Sequence, residues 1–368
     1  MVTLADLKPP RGYDLGVKII LANPRGFCAG VYMAIDVVDQ LLEICPEETI
    51  CVYHEIVHNR HVVDRFRERG VLFVEDIAEA PDGSIVVYSA HGVSPEIRAQ
   101  TESRQLIAVD ATCPLVTKVH AEAIRLARKN YHILLIGHAD HQEVIGTRGE
   151  VPDSITVVES EEHARALELS TEHPLAYLTQ TTLSTDDAEK IIRVLKDRFP
   201  DIKDPSSNSI CYATTNRQRA VRALAPSTEL VLVVGSGNSS NSVRLTEIAE
   251  NVGTPGFLID DASEMKNEWF NEIETVLITA GASAPEDLVR AVITRLITDF
   301  GGHVEQHHVD REDVEFGLPG SLKKVMRNRG VDPTGRRIHV NMGDEIDAWL
   351  DEQKIPHDSV DLTVGRTG

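Results

Sequence analysis

The chain has 368 residues, 42% of them hydrophobic, and a net charge of −21 from 37 basic and 58 acidic side chains. The length allows two or three domains or one large α/β body. The acidic balance argues against nucleic acid and anionic membrane as partners, and 5% aromatic residues argue against base-stacking platforms.

The opening stretch MVTLADLKPPRGYDLG has no apolar core or cleavage pattern, so no signal peptide is expected. Apolar runs such as Leu230 to Val234 fall far short of the roughly 20 residues that span a bilayer. Five cysteines make an odd, sparse set that fits a reducing compartment rather than a disulfide framework, so the protein is expected in the cytoplasm.

One pattern then recurs along the chain. A short β-branched run ends in a loop of small and polar residues, and an amphipathic helix follows. The instances are VKIILANPRGFCAG, ICVYHEIVHNR, IVVYSAHGVS, LIAVDATCP, HILLIGHADHQE, LAYLTQTTLS, LVLVVGSGNSSNS and VLITAGASAP. They read as βαβ units, hence an α/β fold of parallel sheets covered by helices. The helix after Cys28 shows the period, with Ala34, Ile35, Val38, Leu41, Leu42 and Cys45 on one face. After about residue 310 the chain turns charged and Gly/Pro-punctuated, with one candidate helix, Asp344 to Gln353. That part is expected to be a tail on the surface, its last dozen residues loose.

Ligands gather at the carboxyl ends of strands in such sheets, and the unusual residues all lie at such ends, so one shared site is expected. Cys28, Cys113 and Cys211 each sit in a loop near a helix start, where the helix dipole stabilises a thiolate. Their near-equal spacing suggests three similar lobes, each giving one thiol to a common centre. Three buried, inert thiols are the plain alternative. Three ligands and no fourth suit a metal centre with an open position. Zinc is possible, but the wide separation without C-x-x-C pairs suits an iron–sulfur cluster with one non-cysteine iron. Cys45 and Cys51 lie too far along their helix and strand to be a fourth ligand and are expected in the core.

His58, His91 and His141 stand at strand ends where an imidazole can donate to phosphate. His54, His120 and His138 are left as structural. The GSGNSSNS loop, with Ser239, Ser240 and Asn241, and the AGASAP loop, with Ser283, offer neutral donors before helices, although such loops are often only helix caps. They would bind a diphosphate without lysine or arginine. No GxxxxGK[ST] or GxGxxG fingerprint is present. Glu143, in a water-poor pocket, would have a raised pKa and supply protons, helped by the hydroxyls of Thr181 and Thr182; a surface Glu and a Thr-rich cap are the alternative.

Taken together, PRGFCAG, HNR, SAHGV, DATCPLVTKVH, TQTTLS, CYATTNRQ, VVGSGNSSNS and TAGASAP closely resemble the LytB family of 4-hydroxy-3-methylbut-2-enyl diphosphate reductases, over roughly residues 17 to 320. The resemblance implies three α/β lobes around a central [4Fe–4S] cluster, with the first strand packed into the third lobe. The lobes would be 31–113, 114–207, and 1–30 with 208–310, followed by a tail at 311–368. It implies that Cys28, Cys113 and Cys211 ligate the cluster and leave one iron open. His58, His91, His141, Thr181, Ser239, Ser240, Asn241 and Ser283 would hold the substrate, and Glu143, with Thr181 and His141, would supply protons. The implied reaction is reductive dehydroxylation of (E)-4-hydroxy-3-methylbut-2-enyl diphosphate to isopentenyl and dimethylallyl diphosphate, the last step of the methylerythritol phosphate route. Electrons would come from a carrier such as ferredoxin or flavodoxin. The family often has Pro where Gln142 stands and Asp-Arg where Tyr32-Met33 stand. Two other classes remain open: an iron–sulfur sensor, which would want a basic effector domain, and a hydro-lyase of the aconitase type, which would need no reductant.

Overall fold

The computed structural model describes residues 16–169, 172–334, 337–339 and 344–363. Most of the opening stretch read as lacking a signal peptide, and the last five residues, lie outside them.

The described chain begins with β1 (Val17–Asn23), α1 (Ala29–Ile44), β2 (Ile50–Tyr53), α2 (Arg60–Glu68), β3 (Leu72–Val74), β4 (Ile85–Tyr88), α3 (Pro95–Ser103) and β5 (Ile107–Asp110). The strands after β1 form a parallel sheet in the order β3-β2-β4-β5. Next come α4 (Pro114–Ala127), β6 (His132–Ile136), α5 (Gln142–Glu150), β7 (Ile155–Val158), α6 (Glu161–Ala166), β8 (Leu175–Thr179) and α7 (Thr185–Arg198). Their parallel sheet runs β7-β6-β8, and a single parallel bridge from Ala176 to Lys203 continues it past β8. The third stretch holds α8 (Tyr212–Leu224), β9 (Leu230–Val234), α9 (Ser240–Asn251), β10 (Gly256–Ile259), β11 (Thr275–Ala280), α10 (Glu286–Phe300) and β12 (Gly302–His308). After it come β13 (Glu315–Gly317), α11 (Gly320–Asn328), β14 (Arg337–His339), α12 (Asp344–Gln353) and β15 (His357–Asp361). The largest sheet runs β10-β9-β11-β1-β12-β15, with all its pairs parallel.

The three sheets share one plan. In each, the first strand lies between the second on one side and the third on the other. A fourth position follows beside the third: β5 in the first lobe, Lys203 in the second and β1 in the third. The chain leaves the first strand in one direction and reaches the third in the other, so each lobe has a crevice where those two carboxyl ends part. β8 and β9 are buried along their whole length, as expected of strands covered by helices on both faces.

The segment after 310 is not the surface tail expected of it. Leu318, Leu322, Val325 and Met326 are buried in the first lobe's core with α1 and β2. Ser321 Oγ accepts the Asp110 backbone N–H at 2.9 Å. The last dozen residues, expected to be loose, include β15, which pairs with β12. The charged composition hid this because α11 is amphipathic, with three apolar residues at helical spacing in an otherwise polar turn.

Candidate active site

A cavity lies where the three sets of strand ends meet, and every site residue predicted from the sequence lines it. Loops after the first strands bring His58, His141 and Ser239, and the first turns of the helices that follow bring Glu143, Ser240 and Asn241. Loops after the third strands bring His91, Thr181 and Ser283.

The three cysteines come from the fourth position of each lobe and are held in the same way. The backbone N–H of Cys113 donates to the Ala90 carbonyl at 3.0 Å, that of Cys211 to Thr181 at 3.0 Å, and that of Cys28 to Ala282 at 3.3 Å. Each acceptor lies in the loop that follows the third strand of that lobe. Each cysteine is also the N-cap of a helix, α1, α4 or α8. Equivalent attachment in three similar lobes explains the even spacing of the thiols in sequence.

Burial pushes all three thiols up. Cys211 reaches about 11, with repulsion from Cys28 adding to burial and Thr214 acting against both. Cys113 is raised by burial and by its two sister thiols. Three crowded thiolates are therefore unfavourable unless a strongly cationic group displaces their protons. The sulfurs leave room for one. A Cβ added at Gly30 would lie 2.5 Å from Cys113 Sγ and 4.0 Å from Cys28 Sγ, so the glycine keeps the space between them open. Among the described residues, no three His, Cys, Asp or Glu side chains converge as ligands of a single ion.

Opposite the thiols, the His58 and His91 rings stack with centroids 3.9 Å apart, and His141 stands edge-on to them at 5.2 and 5.8 Å. Burial, then its neighbours His58 and His141, hold His91 well below the ordinary histidine range. Burial and His58 bring His141 down to about 4. His141 Nδ1 accepts the Glu143 N–H at 3.2 Å, so in the neutral ring Nε2 carries the proton. His58 Nδ1 lies 3.1 Å from a Glu55 carboxylate oxygen, and its Nε2 is buried without a partner. Burial alone would raise Glu55, but the bonds from His58 and Asn238 outweigh it and keep it ionised.

Glu143 lies in the first turn of α5 and is 2% exposed. Thr181 donates to both of its oxygens, the backbone N–H at 2.7 Å and Oγ1 at 2.8 Å. Burial pushes this carboxyl up to about 7, against those two bonds. The remaining wall is made of neutral donors. Ser283 Oγ donates to the His58 carbonyl at 2.8 Å and lies 3.4 Å from Ser239 Oγ, tying the third lobe to the first. Both amide atoms of the Asn241 side chain are buried without partners. No lysine or arginine is among the described residues of the lining.

The family model described as LytB protein matches residues 19–297. The chain belongs to the LytB family. A relative named 4-hydroxy-3-methylbut-2-enyl diphosphate reductase from Rhodopirellula baltica is 52% identical over 83% of this chain and 96% of its own. One of the same name from Escherichia coli O9:H4 is 50% identical over 84% of this chain and 99% of its own. Among solved structures, the E-1-hydroxy-2-methyl-but-2-enyl-4-diphosphate reductase from Plasmodium falciparum superposes with a TM-score of 0.82 at 37% identity, over 86% of this chain and 99% of that one. A second, described as the terminal enzyme of the non-mevalonate pathway, gives a TM-score of 0.56 at 32% identity, over 76% of this chain and 99% of that one.

Where this chain departs from the LytB pattern, the structure accommodates the change. Gln142 is the first residue of α5, a position that proline also suits, so the helix carrying Glu143 starts in the same place. Tyr32 packs edge-on to Phe27 at 5.1 Å, and Met33 is in the first lobe's core. Cys45 and Cys51 are core residues, and His54, His120 and His138 do not line the cavity. Ser242 does not line the cavity; its Oγ donates to Ser239 Oγ at 3.1 Å.

The sequence reading missed Arg217. It lies on α8 among the buried positions Ala213, Thr214, Val221 and Leu224, and its guanidinium is wholly buried. An arginine at core spacing was the available signal.

Proposed function

We propose that this chain reduces (E)-4-hydroxy-3-methylbut-2-enyl diphosphate, with two electrons and two protons, to isopentenyl or dimethylallyl diphosphate and water. The observation that carries the reading is one cavity that joins three lobe-borne thiols, a buried carboxyl poised near neutrality and a wall of neutral donors. Cys28, Cys113 and Cys211 would hold a [4Fe–4S] cluster with one iron free of protein ligands, which when bound supplies the electrons and a Lewis acid for the substrate hydroxyl.

The protein's own groups supply binding and protons. His58, His91 and His141, with Ser239, Ser240, Asn241 and Ser283, take the diphosphate, and the orphaned Asn241 amide and His58 Nε2 find their partners there. Helices α5 and α9, capped by His141 and Ser239, point their positive ends at the same cavity. A proton on Glu143 is one hydroxyl away from the cavity. Thr181 Oγ1 bonds the carboxyl and lines the cavity, so it can pass a proton to the departing oxygen while taking one from Glu143. The buried site excludes water that would compete for that transfer.

Electrons would arrive from a small carrier such as ferredoxin or flavodoxin. None of the five cysteines is paired, and a thiol-held centre needs reducing surroundings, which supports a cytoplasmic setting. Among the described residues no helix is long and apolar enough to cross a membrane.

The test is turnover by anaerobically purified protein, with and without reductant, alongside iron and sulfide analysis. Reductant-dependent release of the two diphosphates is expected. Loss of the hydroxyl without reductant would make the protein a hydro-lyase instead.

A further inference from the structure

The wall behind Cys28 contains a buried ion pair that the reading above does not use. Arg217 Nη1 lies 3.0 Å from Glu312 Oε1, and both side chains are closed to solvent. Arg217 reaches back along its own helix to the Ala213 carbonyl at 2.9 Å. It also crosses to the loop that carries Cys28, donating to the Gly26 carbonyl from Nη2 at 2.7 Å and from Nε at 3.1 Å, and to the Arg25 carbonyl at 3.4 Å. Glu312 Oε1 accepts a second bond from Asn216 Nδ2 at 3.1 Å. One guanidinium therefore joins three distant segments: the Cys28 loop, the helix capped by Cys211, and the stretch after β12.

We infer that Glu312 is a positioning residue for the thiol centre, acting through Arg217 to hold the Cys28 loop and to balance the charge beside whatever the thiols bind. This rests on the proposed thiol-held cluster only for the charge; the positioning stands on the contacts alone.

The physical argument is one of compensation. A lone guanidinium at this depth is strongly unfavourable, and its backbone acceptors do not neutralise it. Glu312 does, and so permits a cation to stand between the Cys28 loop, whose carbonyls it holds, and the helix that Cys211 caps. An anionic centre on those thiols feels the cation and, more weakly, the carboxylate behind it. Removing the negative partner favours added electrons; removing the positive one opposes them. A pair that served packing alone would not shift a potential in opposite directions from its two ends.

The experiment uses reconstituted, substrate-free protein and reads iron content and the midpoint potential by EPR-monitored titration. Glu312→Gln keeps the shape and the acceptor oxygen and removes one charge; it should raise the potential. Arg217→Gln should lower it, and the double variant should return towards the parent. Full iron with no shift in Glu312→Gln overturns the charge role, and that variant decides the matter if Arg217→Gln does not fold. A second measurement needs no cluster. In metal-free protein, Glu312→Ala should speed iodoacetamide labelling of Cys28 severalfold relative to Cys113. Unchanged relative labelling overturns the positioning role. A parent protein that binds no iron would instead overturn the proposed function, and the labelling result would still stand.

Discussion

Replacing Glu143 by Gln makes the electrostatics of the site measurable without any ligand. Burial holds the carboxyl at about 7 in the folded protein, against an ordinary value of 4.5. That gap corresponds to roughly 3 kcal/mol. Below about pH 4.5 the group is protonated whether the chain is folded or not, and it contributes nothing. Between 4.5 and 7 the unfolded chain gains by ionising and the folded one does not, so stability falls as pH rises. Above 7 the whole difference is lost to the fold. Glutamine cannot ionise, and its carbonyl still accepts from the Thr181 N–H. The stability of Glu143→Gln relative to the parent should therefore improve by roughly 3 kcal/mol from pH 4.5 to 8. Denaturant unfolding of both proteins, metal-free, at a series of pH values gives the number. Parallel pH profiles would refute the burial argument. In the loaded enzyme the same change should cut turnover by about 10²-fold or more while substrate binding persists, since a general acid contributes on that scale.

The other predictions concern the walls and the core. Gly30→Ala should lose most of its iron on reconstitution, because the new Cβ would lie 2.5 Å from Cys113 Sγ; undiminished iron and sulfide would refute the cradle. Asn241→Ala should weaken substrate and product alike by roughly 10- to 100-fold in calorimetric titration, the scale of one bond to a charged group, yet leave the free protein's stability unchanged because the amide has no protein partner. Leu322→Ala should destabilise the fold by about 2–5 kcal/mol in chemical unfolding, a loss that a surface tail would not show. Cys45→Ser and Cys51→Ser should keep their iron and lose only about 1 kcal/mol or so of stability, and iron loss in either would redraw the ligand set.

The strands that carry the site were legible because each is a short apolar run ending in a distinctive loop. Those that carry none of it, β3, β7, β10 and β12 to β15, were not singled out. β3, β7 and β10 are three or four residues long and lie at sheet edges, where little in the sequence marks them, and β12, although seven residues long and internal, reads GHVEQHH and is no apolar run. The thiols, imidazoles and hydroxyls that line the cavity could be read as one group because they recur together at the ends of successive strands. Arg217 offered only its place at core spacing on α8 and Glu312 no signal at all, since their meaning lies in a contact between residues 95 positions apart. A charged residue reads as surface until its partner is known. The stretch after 310 misled for the same reason. Its composition is polar, and only the spacing of Leu322, Val325 and Met326 reveals a helix with a buried face.

The placing of β1 has a consequence for the order in which the molecule is made. Lys18 pairs with Thr275 on one side and with His303 on the other. The strand that leads into Cys28 thus leaves the ribosome long before either of its neighbours exists. The second lobe can close during synthesis, whereas the first awaits Leu318, Leu322, Val325 and Met326 for the rest of its core. Cys28 packs against that core, but its backbone bond to Ala282 and the pairing of β1 must wait until β11 and β12 have been translated. A chain arrested before residue 275 would carry Cys28, Cys113 and Cys211 and still hold only two of them in register. Loading of the centre therefore belongs after translation, and a folding delay at this last sheet would appear as soluble protein short of iron rather than as unfolded protein.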